Sequence, residues 1–267
     1  MRVTCLQMDV QFACVEENFL HAEKLIGDAM ADAPDVIVLP ETWNTGFFPR
    51  ENLTALADRD CAMVRDRIGA LARKYGVNIV AGSVANIRGG QVYNTACVFD
   101  RTGACIARYD KTHLFSPMGE DQYFAKGNHL CTFALDGIPC GLIICYDLRF
   151  PEMFRLMSEA GARIVCLPAC FNSTTGAAHW EVLLRSIAVL NHCYVLASNH
   201  CGKKYNGNGV WGHSMIIDPW GTPVALAGQE REALLLAEID LDYCEELRGR
   251  LGCMTNRRPD IYRLEMR

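Results

Sequence analysis

The sequence predicts an α/β fold. Short apolar strands alternate with amphipathic helices in the first third of the chain, the alternation resumes after Cys145, and no Pro- or Ser-rich linker interrupts the 267 residues. With half its residues hydrophobic, the chain can bury a large core, and residues 1–267 read as one domain. "VTCLQMDV" alternates like a strand, and Val15, Phe19, Ala22, Ile26 and Met30 then mark one face of a helix that ends before Pro34. Val36 to Leu39 follows as a buried strand. A helix over Arg59 to Tyr75 places Val64, Ile68, Leu71 and Tyr75 inward and stops at Gly76. The strand "VNIVAGSV" leads into turn signals at Gly89-Gly90 and again at Asp100 to Gly103, which separate "QVYNTACVFD" from "ACIARYD" as antiparallel strands.

Thr112 to Asn128 has too little periodicity for one element and reads as a long loop, a place where function collects. Strands "LCTFAL" and "CGLIIC" follow, joined by a turn at Asp136-Gly137. Next come a helix near Glu152 to Ala160, the strand "RIVCLP", a helix from about Ala178 to Asn191 and the strand "CYVLASN". Strands at His213 to Asp218 and Leu234 to Ile239 lead to a short helix and the tail "NRRPDIYRLEMR".

Composition narrows the function. A formal charge of −5 with scattered Lys and Arg leaves no basic stripe for nucleic acid. "MRVTCLQMDV" lacks a signal-peptide pattern and no stretch approaches the ~20 apolar residues of a membrane span, so a soluble cytoplasmic protein is expected. In that setting the 14 cysteines are reduced thiols rather than a disulfide framework, and most are core hydrophobes. No C-x-x-C occurs and Cys166-x3-Cys170 has no second ligand pair, so neither a metal site nor a cofactor is expected.

Three strands end in groups capable of chemistry: Leu39-Pro40-Glu41, Tyr109-Asp110-Lys111 and Ile144-Cys145-Tyr146. Ligands in α/β sheets collect beyond the carboxyl ends of strands, so the three groups are candidates for convergence, although each taken singly also fits a solvated glutamate, an exposed lysine or a buried thiol. "LPET", "YDKTHLF", "CYDLRFPE" and "TGAAHWEVLLRSIAVLNHCYV" stand at residues 39–42, 109–115, 145–152 and 175–195. In that order and over nearly the whole chain, they resemble the nitrilase superfamily of carbon–nitrogen hydrolases. The resemblance implies a four-layer α-β-β-α sandwich, a Glu41-Lys111-Cys145 triad and a second glutamate at Glu120. It also implies a homodimer. Within the family the Cys-Tyr-Asp turn resembles amidases rather than nitrilases, and the motifs resemble those of ω-amidases, which implies cleavage of a small carboxylated amide such as an α-keto acid amide to the acid and ammonia; an N-carbamoyl hydrolase or deaminated-glutathione amidase with the same triad, and a non-catalytic binding or scaffold protein, are the alternatives.

The chemistry fits those residue types. An ordinary thiol is mostly protonated at neutral pH, so a nucleophilic Cys145 needs a base or cation beside it, which Glu41 and Lys111 supply. The Lys111 ammonium and the Tyr146 backbone N–H are candidate oxyanion donors, Glu41 the acid and base, and Glu120 either holds Lys111 or orients substrate. Tyr123, Arg149, Phe171 and Asn172 are candidate substrate contacts, with Met118 and Asn199-His200 as further pocket walls. Arg149 also reads as an internal ion pair with Asp147, and Arg149 or Lys126 as the anchor for a substrate carboxylate. Trp180, Leu183, Leu184 and Ile187 read as core or subunit contact.

Overall fold

In the computed structural model, which describes residues 1–202 and 209–266, two sheets lie face to face with helices on both outer sides. In the first sheet β1 (Arg2–Asp9) lies parallel to β2 (Val36–Val38), and β2 is parallel to β4 (Asn78–Arg88). The two-residue β3 (Asp58–Arg59) adds to the far end of β4, and β5 (Gln91–Phe99) and β6 (Cys105–Asp110) continue antiparallel. The second sheet runs β7 (Cys131–Leu135), β8 (Ile138–Leu142), β9 (Ile164–Ala169), β10 (Tyr194–Cys201), β11 (Met215–Ile217) and β12 (Pro223–Leu226). β13 (Ala233–Glu238) returns to pair antiparallel with β1, and a short parallel contact between β1 and β10 joins the sheets at Met8 and His200.

Strand alternation builds the four layers. Val3, Cys5, Val36, Val38 and Val80 point between the sheets, whereas Leu6, Met8, Ile37, Leu39 and Ile79 point out against α1 (Val15–Ala29) and α3 (Ala62–Tyr75). On the opposite side α4 (Pro151–Glu159) and α5 (Ser173–Asn191) cover the second sheet, with Phe154, Met157, Trp180 and Leu184 buried. The result is an α-β-β-α sandwich. The one-turn α2 (Leu53–Leu56) sits over an aromatic cluster containing Phe48 and Phe124, and α6 (Asp242–Leu251) follows β13. No helix among the described residues is long and apolar enough to cross a membrane.

Several boundaries differ from expectation for local reasons. α3 starts at Ala62 rather than Arg59, because the Asp58 carboxylate accepts from the Met63 and Val64 N–H groups, both at 3.0 Å, and so caps the first turn. α5 starts ahead of Ala178, at Ser173, where Asn172 caps it by accepting from Thr175 N–H. β8 ends at Leu142, not Ile144. β12 lies outside the sequence expectation, since its few half-exposed residues start with a proline. Trp180, Leu184 and Ile187 pack in this chain's own core, so the apolar outer face of α5 consists instead of Val182, Val189 and Leu190.

A β-bulge in β4 shapes the turn that carries Glu41. Gly82 has φ +60°, and a Cβ there would stand 2.0 Å from the Pro40 carbonyl oxygen. That carbonyl accepts from Ser83 N–H, and Ser83 Oγ accepts from Thr42 N–H at 2.9 Å. Gly82→Ala is expected to cost about 2–4 kcal/mol, measured by denaturant unfolding, and to lower activity as the Pro40-Glu41 turn shifts. A change below about 0.5 kcal/mol would show that the turn does not depend on this close approach.

Candidate active site

Glu41, Lys111 and Cys145 meet at one end of the sandwich, between the sheets. Glu41 stands three residues past β2, Lys111 directly follows β6, and Cys145 opens the 3-10 turn Cys145–Arg149 beyond β8. Glu120 arrives on a 3-10 turn of the long loop. Glu41, Lys111 and Glu120 are wholly buried and Cys145 is 7% exposed. Lys111 Nζ donates to Glu41 Oε1 at 2.7 Å and to Glu120 Oε1 and Oε2 at 3.0 and 2.9 Å. The Cys145 thiol lies beside the Glu41 carboxylate. Glu41 is thus held from both sheets: it takes Lys111 from the first, while its Oε2 accepts from Cys170 N–H at 2.8 Å at the end of β9.

Asn94, in the middle of β5, was not singled out from the sequence. Its Nδ2 donates to Glu41 Oε1 at 2.8 Å and to Glu120 Oε1 at 3.1 Å, so one amide spans both carboxylates. The available signal was a polar Asn94-Thr95 pair inside an apolar strand. Burial opposes charge on all four ionisable groups, and the outcome differs for each. Burial raises Glu41, but the Lys111 ammonium and the Cys145 and Asn94 hydrogen bonds overcome it and hold Glu41 below its ordinary range. For Glu120, burial and the nearby Glu41 charge outweigh Lys111 and raise it. Lys111 is disfavoured by burial yet raised well above normal by Glu120 and Glu41, so it stays an ammonium. Burial and the Glu41 charge push the Cys145 thiol up, so it rests protonated beside an ionised carboxylate.

Cys145 has φ +45°, a strained angle for a residue with a side chain. Asp147 holds the turn: its Oδ2 accepts from Ile144 N–H at 3.0 Å and Tyr109 OH at 2.8 Å, and its Oδ1 accepts from His113 N–H at 3.0 Å. The expected Asp147–Arg149 ion pair does not form, because these donors and the His113 ring saturate Asp147. Arg149 points instead into a cavity whose floor is Cys145 and Lys111 and whose walls include Phe47, Phe115, Met118, Tyr146 and Phe171. Its guanidinium lies 5.5 Å from the Phe171 ring centre and donates to His179 Nδ1 at 3.2 Å; among the described residues no carboxylate pairs with it.

The other candidates divide. Asn172 and Cys170 line the same cavity, and the Tyr146 N–H lies in the first turn after Cys145. Tyr123 does not line it. Its ring packs 5.5 Å from Phe48 beneath Arg50, because the turn at Glu120 directs it to the third apolar cluster. Lys126 is exposed and away from the cavity. Asn199 and His200 lie behind the site rather than in its wall: Asn199 Oδ1 accepts from Phe171 N–H at 2.8 Å, and His200 Nε2 bonds the Glu41 carbonyl. Burial holds His200 at about 4, so its ring is neutral.

A family model for carbon–nitrogen hydrolases matches residues 2–249, and the chain belongs to that family. It is 40% identical over 260 residues to a 2-oxoglutaramate amidase of Bacillus subtilis, covering 97% of this chain and 98% of the relative. A deaminated glutathione amidase of Bos taurus is 36% identical over 261 residues, covering 92% and 79%. The crystal structure of Nit3 from Saccharomyces cerevisiae, a member of branch 10 of the nitrilase superfamily, superposes with a TM-score of 0.89 at 28% identity, covering 97% of this chain and 96% of Nit3. The sandwich anticipated from the motifs is therefore the fold of a known superfamily.

Because Asn94 restrains both carboxylates, Asn94→Ala is expected to lower kcat by about 10–100-fold with little change in KM, roughly the worth of hydrogen bonds to buried charge. Steady-state kinetics decide it. An unchanged kcat would remove Asn94 from the site's working geometry.

Proposed function

We propose that this enzyme hydrolyses small carboxylated amides, of the ω-amide or α-keto acid amide class, to the acid and ammonia through an acyl-thioester on Cys145. The observation that carries the reading is the contact of a protonated thiol with an ionised, buried glutamate and a fixed ammonium, at the floor of a cavity whose wall holds Arg149. The named amidase relatives support it.

In the first half-reaction the Cys145 sulfur attacks the amide carbon while Glu41 takes the thiol proton. The carbonyl oxygen gains negative charge beside the Lys111 ammonium and the Tyr146 N–H. Collapse re-forms the carbonyl and breaks the C–N bond as Glu41 passes its proton to the leaving nitrogen, so ammonia departs and the acyl group stays on sulfur. In the second half-reaction Glu41 takes a proton from water, whose oxygen attacks the thioester. Collapse expels the Cys145 sulfur, which recovers its proton from Glu41. Glu120, bonded to Lys111 and to Phe115 N–H at 2.6 Å, positions the ammonium.

Arg149 supplies the preference for a carboxylate. It is a cation without an acidic partner among the described residues, set in a mainly aromatic wall, and a substrate carboxylate would complete its pairing. Asn172, beside it in the cavity, adds an amide dipole. The protein is proposed to act as a homodimer in the cytoplasm. The exposed Val182 (56%) and Leu190 (50%) on α5 support the dimer, since they leave an apolar helix face bare in a single chain.

Three outcomes test the reading. Cys145→Ala should abolish ammonia release, and Glu41→Gln should reduce it by at least about 10³-fold while circular dichroism stays native; losses under tenfold would remove these groups from the chemistry. Arg149→Gln should raise KM for succinamate about 10–100-fold but leave its methyl ester nearly unaffected; equal effects on both would separate Arg149 from carboxylate binding. The acid limb of kcat/KM should fall below pH 4.5, because Glu41 is held below that ordinary value and must be ionised to accept the thiol proton. A limb centred at pH 6 or above would assign the base to another group.

A further inference from the structure

Three thiols meet outside the active site, on the α3 side of β5. Cys97 is buried, with the thiols of Cys105, exposed on β6, and of Cys61, at the N-terminus of α3, as its neighbours. The β5–β6 register shifts between Val98 and Phe99. Beside this shift, the Cys105 sulfur lies next to the Cys97 thiol and the Val98 and Ala107 backbone N–H groups, its own thiol reaches the Ala107 carbonyl at 3.5 Å, and the Arg108 charge is nearby. Arg108 bonds Asp60 through its terminal nitrogen at 2.8 Å, yet its Nε is buried with no hydrogen-bond partner. An exposed cysteine whose sulfur sits between a buried thiol and an under-used guanidinium is placed to ionise more readily than an isolated thiol.

We propose that Cys105 is a second reactive thiol, oxidised by hydroperoxides and resolved by Cys97 as an intramolecular disulfide. The Cys105 thiolate attacks one peroxide oxygen, the O–O bond breaks, and the other oxygen leaves as alkoxide or hydroxide and takes a proton. Sulfur loses two electrons to the peroxide and becomes a sulfenic acid. Cys97 sulfur then attacks Cys105 sulfur, the S–O bond breaks, and the departing hydroxide takes the Cys97 proton as water. The two thiols are suited to these unequal roles: Cys97 is raised well above normal by its bonds to Cys105 and Cys61, whereas the Cys97 bond, then Arg108 and the backbone donors, lower Cys105 to about 7. The protonated Cys145 offers no such preformed thiolate.

Peptide mapping of the whole protein after brief exposure to hydrogen peroxide, under non-reducing conditions, tests this. A Cys97–Cys105 linked peptide is expected from the wild type, and a dimedone adduct on Cys105 from Cys97→Ser. Iodoacetamide at pH 7 should label Cys105 at least about tenfold faster than the other exposed thiols, Cys14 and Cys253. Arg108→Gln should slow that labelling severalfold, and Cys105→Ser should hydrolyse amides at the wild-type rate, which checks its fold. Equal labelling of Cys14, Cys105 and Cys253, or oxidation that begins at Cys145, would overturn the proposal.

Discussion

The candidate site depends on one buried ammonium shared by two buried carboxylates. Lys111 lies too deep to be tolerated as a lone charge, and Glu41 and Glu120 lie too close together to be equally ionised without it. The shared cation does not treat them alike. Glu41 also receives Cys145, Asn94 and the Cys170 N–H, while Glu120 receives Asn94 and the Phe115 N–H. The result is one carboxylate held ready to accept a proton and another raised above its normal value. In the proposed mechanism that inequality selects Glu41 as base and leaves Glu120 to hold Lys111.

The sandwich is what makes such a cluster possible. Glu41 and Lys111 follow strands of the first sheet, Cys145 and Cys170 follow strands of the second, and the apolar layer between the sheets excludes water from the groups that meet at its end. Two backbone details keep the geometry tight. The Gly82 bulge lets the Pro40 carbonyl approach β4, and the Asp147 network holds Cys145 at a positive φ. A thiol kept protonated until substrate arrives is protected from solvent electrophiles, in contrast to Cys105 at the surface. In the proposed mechanism, selectivity for an acyl carbon then comes from the neighbouring base and cation rather than from a standing thiolate.

Much of this was legible in the sequence, because strand alternation and turn residues are local signals. Hairpin turns at Gly89-Gly90 and Asp136-Gly137, the stop of α3 at Gly76 and the placement of three polar strand ends all follow from them. The motifs supplied the partnership of Glu41, Lys111 and Cys145, which no periodicity gives. Features set by distant partners were hidden. Asn94 gains its importance only when β5 lies between two carboxylates, Asp147 chose Tyr109 and His113 over the neighbouring Arg149, and Tyr123 follows a loop turn away from the cavity. Starts of α3 and α5 were misplaced because side-chain caps from Asp58 and Asn172 decide them.

The central claim is the unequal protonation of the two glutamates around Lys111. Carbon-13 NMR of the glutamate side-chain carboxyls, assigned with Glu41→Gln and Glu120→Gln and followed through a pH titration of the free enzyme, measures it directly. The account predicts that the Glu120 carboxyl takes up a proton first as the pH falls and that Glu41 remains ionised below pH 4.5. Protonation of Glu41 ahead of Glu120 would contradict it.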